Sequence, residues 1–174
     1  MKNLFLLLLI TFSMTSYGQE DSRRPVAERK HEVKIGAIKL LAGPILEGTY
    51  EYIQNKDFTF GFSVLANLDN RNDYPEDFSV TPFARFYFQE TKEYGARGFF
   101  VEGFGKYSTG RYDYDSYDQD KKYTAGGLGI ALGKKWINNS GFVFEILAGA
   151  GRTIGTDSGP DVLFRGDFNI GYRF

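Results

Sequence analysis

From Val162 to Phe174 the chain alternates between two kinds of side chain. One set is Val162, Phe164, Phe168, Ile170, Tyr172 and Phe174, with Gly166 among them; the other is Leu163, Arg165, Asp167, Asn169, Gly171 and Arg173. Successive side chains of a strand point to opposite faces, so this stretch reads as a strand with one greasy and one ionic face. Similar runs recur at roughly 31–41, 45–54, 58–66, 78–89, 98–107, 122–136 and 142–152, and 161–174 completes the set. No stretch of twelve or more residues beyond 31 keeps a helical apolar period. Eight strands of about ten residues predict an all-β fold, an eight-stranded antiparallel up-and-down β-barrel. About 9–11 tilted residues is also the length of strand that crosses a bilayer.

Which face is greasy decides the compartment. Phe58, Phe60, Phe62 and Val64 oppose Thr59, Gly61 and Ser63; Val80, Pro82, Ala84, Phe86 and Phe88 oppose Thr81, Phe83, Arg85 and Tyr87. Leu128, Ile130 and Leu132 oppose Gly127, Gly129, Ala131 and Gly133, and Phe142, Phe144, Ile146 and Ala148 oppose Val143, Glu145, Leu147 and Gly149. Strand one, with Val33, Ile35 and Ala37 against Lys34, Gly36 and Ile38, is ambiguous. An eight-stranded barrel has an interior only just wide enough for side chains, and roughly two dozen large apolar ones would overfill it. The opposite orientation turns the glycines inward, together with Glu47, Glu51, Arg85, Glu102, Lys106, Glu145, Arg165, Asp167 and Arg173. Both signs occur among these nine, so they can neutralise one another as a lumen polar network. Exposing them to lipid would cost about 2–4 kcal/mol per basic residue at mid-depth, and on the order of 10–20 kcal/mol in sum. The membrane orientation wins. Trp136, Tyr172, Phe174, Phe88, Tyr52 and Phe58 fall near turns or the terminus on one side, where rings suit the headgroup level.

Residues 1–18 read as a signal peptide: Lys2, an apolar run from Leu4 to Phe12, and the small-x-small site Ser16-Tyr17-Gly18. Residues 19–30 form a charged, flexible leader, and 31–174 the barrel. Cleavage after Gly18 removes one of 21 basic residues against 22 acids, so the formal charge moves from −1 to −2. That balance offers no field for nucleic acid. The absence of cysteine from the 174 residues excludes disulfides, thiol catalysis, thiolate metal sites and a lipid anchor on an N-terminal cysteine. A mean hydropathy of −0.35 excludes a bundle of spanning helices.

The connections at 67–77, 108–121 and 153–160 are long and polar and share one end of the barrel. The turns at 55–57 and 138–141 are short; the first connection, Ala42-Gly43-Pro44, is tight and departs from the pattern of long outer loops. The loop at 108–121 carries Asp113, Asp115, Asp118 and Asp120 among tyrosines, a weak candidate site for a divalent cation and otherwise a solvated hairpin that presents a strand edge. No cofactor or metal site is expected, and eight strands leave no open pore.

The chain end FNIGYRF resembles the C-terminal assembly signal of bacterial outer-membrane proteins, with Phe168, Ile170, Tyr172 and Phe174 as its hydrophobic positions. Asn169 stands where such signals favour glycine. Lys34–Tyr52, Gly98–Tyr107 and Gly126–Gly151 resemble a family of small Gram-negative barrels catalogued as domain of unknown function 3575. The resemblance implies an OmpA- or OmpX-like eight-stranded transmembrane barrel, the barrel-assembly machinery and the outer-membrane bilayer as partners, and no catalytic residues. The expectation is a non-enzymatic outer-membrane protein with a structural or surface-interaction role, meeting a surface protein or polysaccharide through its loops. Two alternatives stand beside it. A lipid-modifying enzyme would need His31, the one histidine, beside a hydroxyl nucleophile, but His31 starts strand one at the wrong rim. An exported lipocalin-like carrier would hold an apolar ligand inside.

Overall fold

The computed structural model describes residues 24–69, 74–88, 94–112, 121–154 and 160–174. The segment 1–18, the start of the leader, the middles of the three long loops and the four aspartates at 113, 115, 118 and 120 lie outside the described residues. Eight antiparallel strands close in sequence order. They are β1 (His31–Gly36), β2 (Ile45–Ile53), β3 (Phe58–Asn67), β4 (Glu76–Phe88), β5 (Gly98–Tyr112), β6 (Lys121–Ile137), β7 (Phe142–Ile154) and β8 (Val162–Arg173). A short helix, α1 (Ala37–Ala42), follows β1.

The alternation sorts as a membrane barrel requires. Glu102 and Glu145 are fully buried, whereas Phe144 is 40 % and Ile130 63 % exposed. Phe83, Tyr87, Phe100 and Phe104 point inward, and the inward glycines make room for their rings. A Cβ on Gly61 would stand 2.9 Å from Phe83; on Gly129 it would run into Phe104, and on Gly133 into Phe100. The barrel is thus narrow because its lumen is packed ring against bare backbone. Rings also gather on the outer face at the terminus end: His31 stacks on Phe174 with centroids 5.8 Å apart, and Phe142 meets Tyr172 edge-on at 5.7 Å.

The structure corrects the sequence reading at four places. β1 ends at Gly36 rather than 41, and the tight first turn is preceded by α1. Its inward residues are Glu32 and Lys34, which settles the ambiguous strand. The loop at 108–121 is shorter, because β5 continues to Tyr112 and β6 begins at Lys121. The end of the leader is held in place. Val26 is buried against Ile137 and Val143, and Arg29 donates to the Tyr172 hydroxyl at 3.0 Å and the Arg173 carbonyl at 3.2 Å. These contacts bring the segment under the barrel mouth. Residues 94–97, just before β5, also fold inward there: Ala96 is fully buried beside Tyr87 and Phe100. The backbone takes the left-handed form at Gly95 and Ala96 (φ 63° and 43°).

Substitutions on adjacent β6 positions separate the two faces. Ile130→Arg, on the exposed outer face, is expected to cost about 2–4 kcal/mol if that face meets lipid. Gly129→Val, driven into Phe104 and the Ala150 carbonyl, is expected to cost about 1–3 kcal/mol by overpacking. Urea titration of the barrel refolded into vesicles, followed by heat-modifiable gel mobility, measures both. Full tolerance of Ile130→Arg contradicts contact of this outer face with lipid.

Candidate functional site

The feature that dominates the interior is a cage of ion pairs. Arg85, at the middle of β4, donates through Nε to Glu102 at 2.6 Å and through Nη1 to Glu51 and Glu145, each at 2.7 Å. Its guanidinium is sandwiched between Phe83 and Phe100, at 4.3 and 4.5 Å from the ring centroids. A planar, delocalised cation suits such a slot, since it stacks on rings while its edge donors reach carboxylates.

Glu51 is the hub. It accepts from Lys34, Arg85, Lys135 at 2.8 Å, the Thr59 hydroxyl at 2.6 Å and the Tyr87 hydroxyl at 2.9 Å. Glu145 accepts from Lys34 at 2.8 Å and from the Asn169 amide at 3.0 Å. Toward the termini Glu32 takes Lys135 at 2.7 Å and Arg173 Nε at 2.7 Å. Arg173 Nη1 and Nη2 then donate to the carbonyls of Tyr94, Gly95 and Ala96. One side chain thereby ties the cage to the inward-folded residues 94–97 that floor it. Toward the other end Arg165 joins Glu102 to Glu47, and Lys39 of α1 reaches Glu47 and Asp167. Lys106 pairs with Glu76 above them.

All nine charged residues assigned to the lumen from sequence are buried there. Eight of them belong to the connected set; Lys106 stands with Glu76 as a separate pair among the described residues. Glu32, Lys34, Lys135, Glu76 and Lys39 were missed. Lys135 was legible, because continuing the inward parity of Gly129, Ala131 and Gly133 reaches it. Glu76 lay just before the expected start of its strand. Phe168, Ile170, Tyr172 and Phe174 lie on the outer face of β8 and at its end. His31 also faces outward, its Nδ1 2.7 Å from the Tyr50 hydroxyl and its ring between Tyr52 and Phe174. Among the described residues the cage has no exposed nucleophile and base; its donors and acceptors satisfy one another except at Asp167 Oδ2, which is buried without a hydrogen bond. What it can do chemically is hold the wall at a fixed diameter and block passage.

No protein-family model matches the chain, and no curated protein matches it. Among solved structures, the N-terminal β-barrel domain of Pseudomonas aeruginosa OprF is similar, with a TM-score of 0.52 and 12 % sequence identity. The match covers 87 % of this chain and 100 % of that domain, and it shows the barrel fold.

Removing the hub leaves Lys34, Arg85, Lys135 and Arg173 facing only Glu32, Glu102 and Glu145 among the fully enclosed charges. Glu51→Leu is therefore expected to destabilise the barrel by about 3–5 kcal/mol, the usual cost of stranding buried charge. Adding Lys135→Met should return part of that loss. A double variant no more stable than Glu51→Leu in urea titrations would show that charge balance is not what Glu51 supplies.

Proposed function

We infer that this chain is a non-enzymatic outer-membrane barrel that is closed to conduction and displays its β5–β6 ribbon to a partner outside the cell. The observation that carries the reading is the inverted polarity of the wall. Fully buried Glu32, Glu51, Glu102 and Glu145 lie inside, while Phe60, Phe86, Phe99, Leu128, Leu132, Ile146 and Phe164 are exposed outside. A band of that size is far beyond the apolar patches of water-soluble monomers, and lipid is the solvent it suits. The export signal read at 1–18 agrees with that destination.

The terminus end carries the two four-residue turns, 54–57 and 138–141, and a nine-residue β4–β5 connection whose Ala96 is buried in the barrel mouth; it is assigned to the periplasm, and the opposite end then faces outward. On that side β5 and β6 outrun their neighbours. β6 finds its last β7 partner at Gly126 and β5 its last β4 partner at Gly110, yet the two pair with each other as far as Tyr112 and Lys121. Lys121–Ala125 therefore present an edge without a β7 partner, a template for strand addition. The lipid-enzyme alternative has little support, because His31 lies on the lipid side at the periplasmic rim. A carrier reading of the lipocalin kind meets a lumen filled with ion pairs. Membership of the family catalogued as domain of unknown function 3575, and an assembly role for Phe168, Ile170, Tyr172 and Phe174, belong to the same reading.

Cell fractionation with heat-modifiable mobility tests compartment and barrel state together, and recovery from the periplasm without detergent would sink the reading. Planar-bilayer recordings of the purified barrel should show no steady open-pore conductance. Replacing 113–120 by a two-residue turn is expected to leave folding intact and to abolish binding to the cell-surface partner; unchanged binding moves the site elsewhere.

A further inference from the structure

Closing the sheet requires β8 to run alongside β1, and it does so over only part of its length. β1 stops at Gly36, which pairs with Asn169, so Val162–Phe168 continue past the last β1 partner. On the facing side β2 meets β1 no further than Gly48, leaving Ile45–Glu47 in the same position. The wall thus has a notch in the half away from the termini. Val162 and Phe164 beside it are exposed and belong to the apolar band. An open strand edge is tolerated at membrane depth only where protein covers it or it lines a cavity.

Both conditions are met here. α1 packs over the notch against β8 and β2. Lys39 turns inward from it to Glu47 and Asp167, and the Ile38 N–H donates to Asp167 Oδ1 at 3.0 Å. Ile38, Leu40 and Leu41 stay exposed, Leu41 at 87 %. Side chains take up two groups of the edge: Asp167 Oδ1 accepts the Phe168 N–H at 2.8 Å, and Lys106 donates to the Phe164 carbonyl at 3.3 Å. Behind the edge lies a cavity of about 580 Å³, with Val162, Leu163 and Phe164 on one wall and Tyr74, Pro75 and Tyr123 on others.

We propose that this cavity receives the acyl chain of a membrane amphiphile with a neutral or cationic head, which enters sideways through the notch when α1 moves off it. The volume lies within the range of small-ligand sites, about 300–1,000 Å³. Its lining is mostly aromatic and aliphatic, and one wall is the open edge that meets lipid. Glu76 at the cavity is neutralised by Lys106, so the carboxylate that disfavours a phosphate head is Asp161, exposed at the rim and without an ion pair among the described residues. Burial, and after it Glu76, push the Tyr74 hydroxyl above its ordinary value. α1 is a helix of six residues bounded by Gly36 and Gly43 and held over the notch by few polar contacts, the Ile38 N–H to Asp167 and Lys39 to Glu47 and Asp167, which must release for entry.

The proposal rests on the membrane reading above, and one experiment separates their failures. In a Trp136→Phe background, Tyr123→Trp places an indole on the lumen wall of the cavity, and Ile130→Trp places one on the lipid face. Both barrels are set in lipid nanodiscs and given a long-chain amine brominated at mid-chain, or the matching alkyl phosphate. The amine is expected to quench the cavity indole as deeply as the lipid-face indole, and the phosphate to quench the cavity indole much less. Lys39→Ala, which frees α1 from Glu47 and Asp167, should increase quenching in the cavity only. Quenching on the lipid face with full emission from the cavity overturns the proposal, whereas no quenching on the lipid face overturns the membrane reading instead. Equal quenching of the cavity indole by amine and phosphate overturns the headgroup assignment. If Tyr123→Trp does not fold, Leu163→Trp carries the reporter on the opposite wall.

Discussion

Charge neutrality in the lumen is the condition on which the rest of the barrel depends. Among the described residues seven cations, Lys34, Lys39, Arg85, Lys106, Lys135, Arg165 and Arg173, meet seven carboxylates, Glu32, Glu47, Glu51, Glu76, Glu102, Glu145 and Asp167. An isolated charge out of water is costly by several kcal/mol, so each pairing constrains the strands that bring its members together. The pairs also reach across the barrel. Arg85 on β4 touches Glu51 on β2, Glu102 on β5 and Glu145 on β7. Lys135 on β6 joins β1 and β2. The sheet's own hydrogen bonds link only neighbours, whereas these contacts brace opposite walls and set the width of the cylinder.

Width in turn explains the glycines. With ion pairs and four large rings sharing the lumen, the strands opposite the rings must carry no Cβ, and Gly61, Gly129 and Gly133 are the positions where they do not. Polar cage and aromatic packing are one arrangement, because Phe83 and Phe100 form the slot that holds Arg85 flat. A smaller ring there would leave a void beside a buried cation; a side chain on the glycines would press the rings into it.

Strand count, order of polarity and the nine inward charges were legible because a two-residue period leaves no freedom once one face is known to be apolar. Val162–Phe174 alone determined the orientation of β8, and cross-strand pairing carries that choice to its neighbours. The misses share a cause. Lys135 follows Lys134, so the charge pair straddles both faces and local composition does not say which one is inside; only the parity of Gly129, Ala131 and Gly133 does. Val26 and Ala96 close the barrel mouth from segments that look polar, and a single apolar residue in a charged leader carries no period at all. The helix was hidden for a related reason, since six residues are too few to show a helical repeat.

Why β1 stops where it does follows from the same alternation of faces. Glu32, Lys34 and Gly36 point inward, so a continued strand would aim Ile38 at Asp167 and Glu47 and would turn Lys39 toward the apolar outer face. Winding into α1 at Ala37 breaks the parity: Lys39 comes inside to both carboxylates and Ile38 goes out. The carboxylate of Asp167 occupies the space where a Cβ on residue 36 would stand, so Gly36 is what lets the charge sit at the end of the strand. Neutralising Glu47 and Asp167 therefore costs the wall its last β1–β8 hydrogen bonds, and the notch is the direct consequence of balancing the lumen.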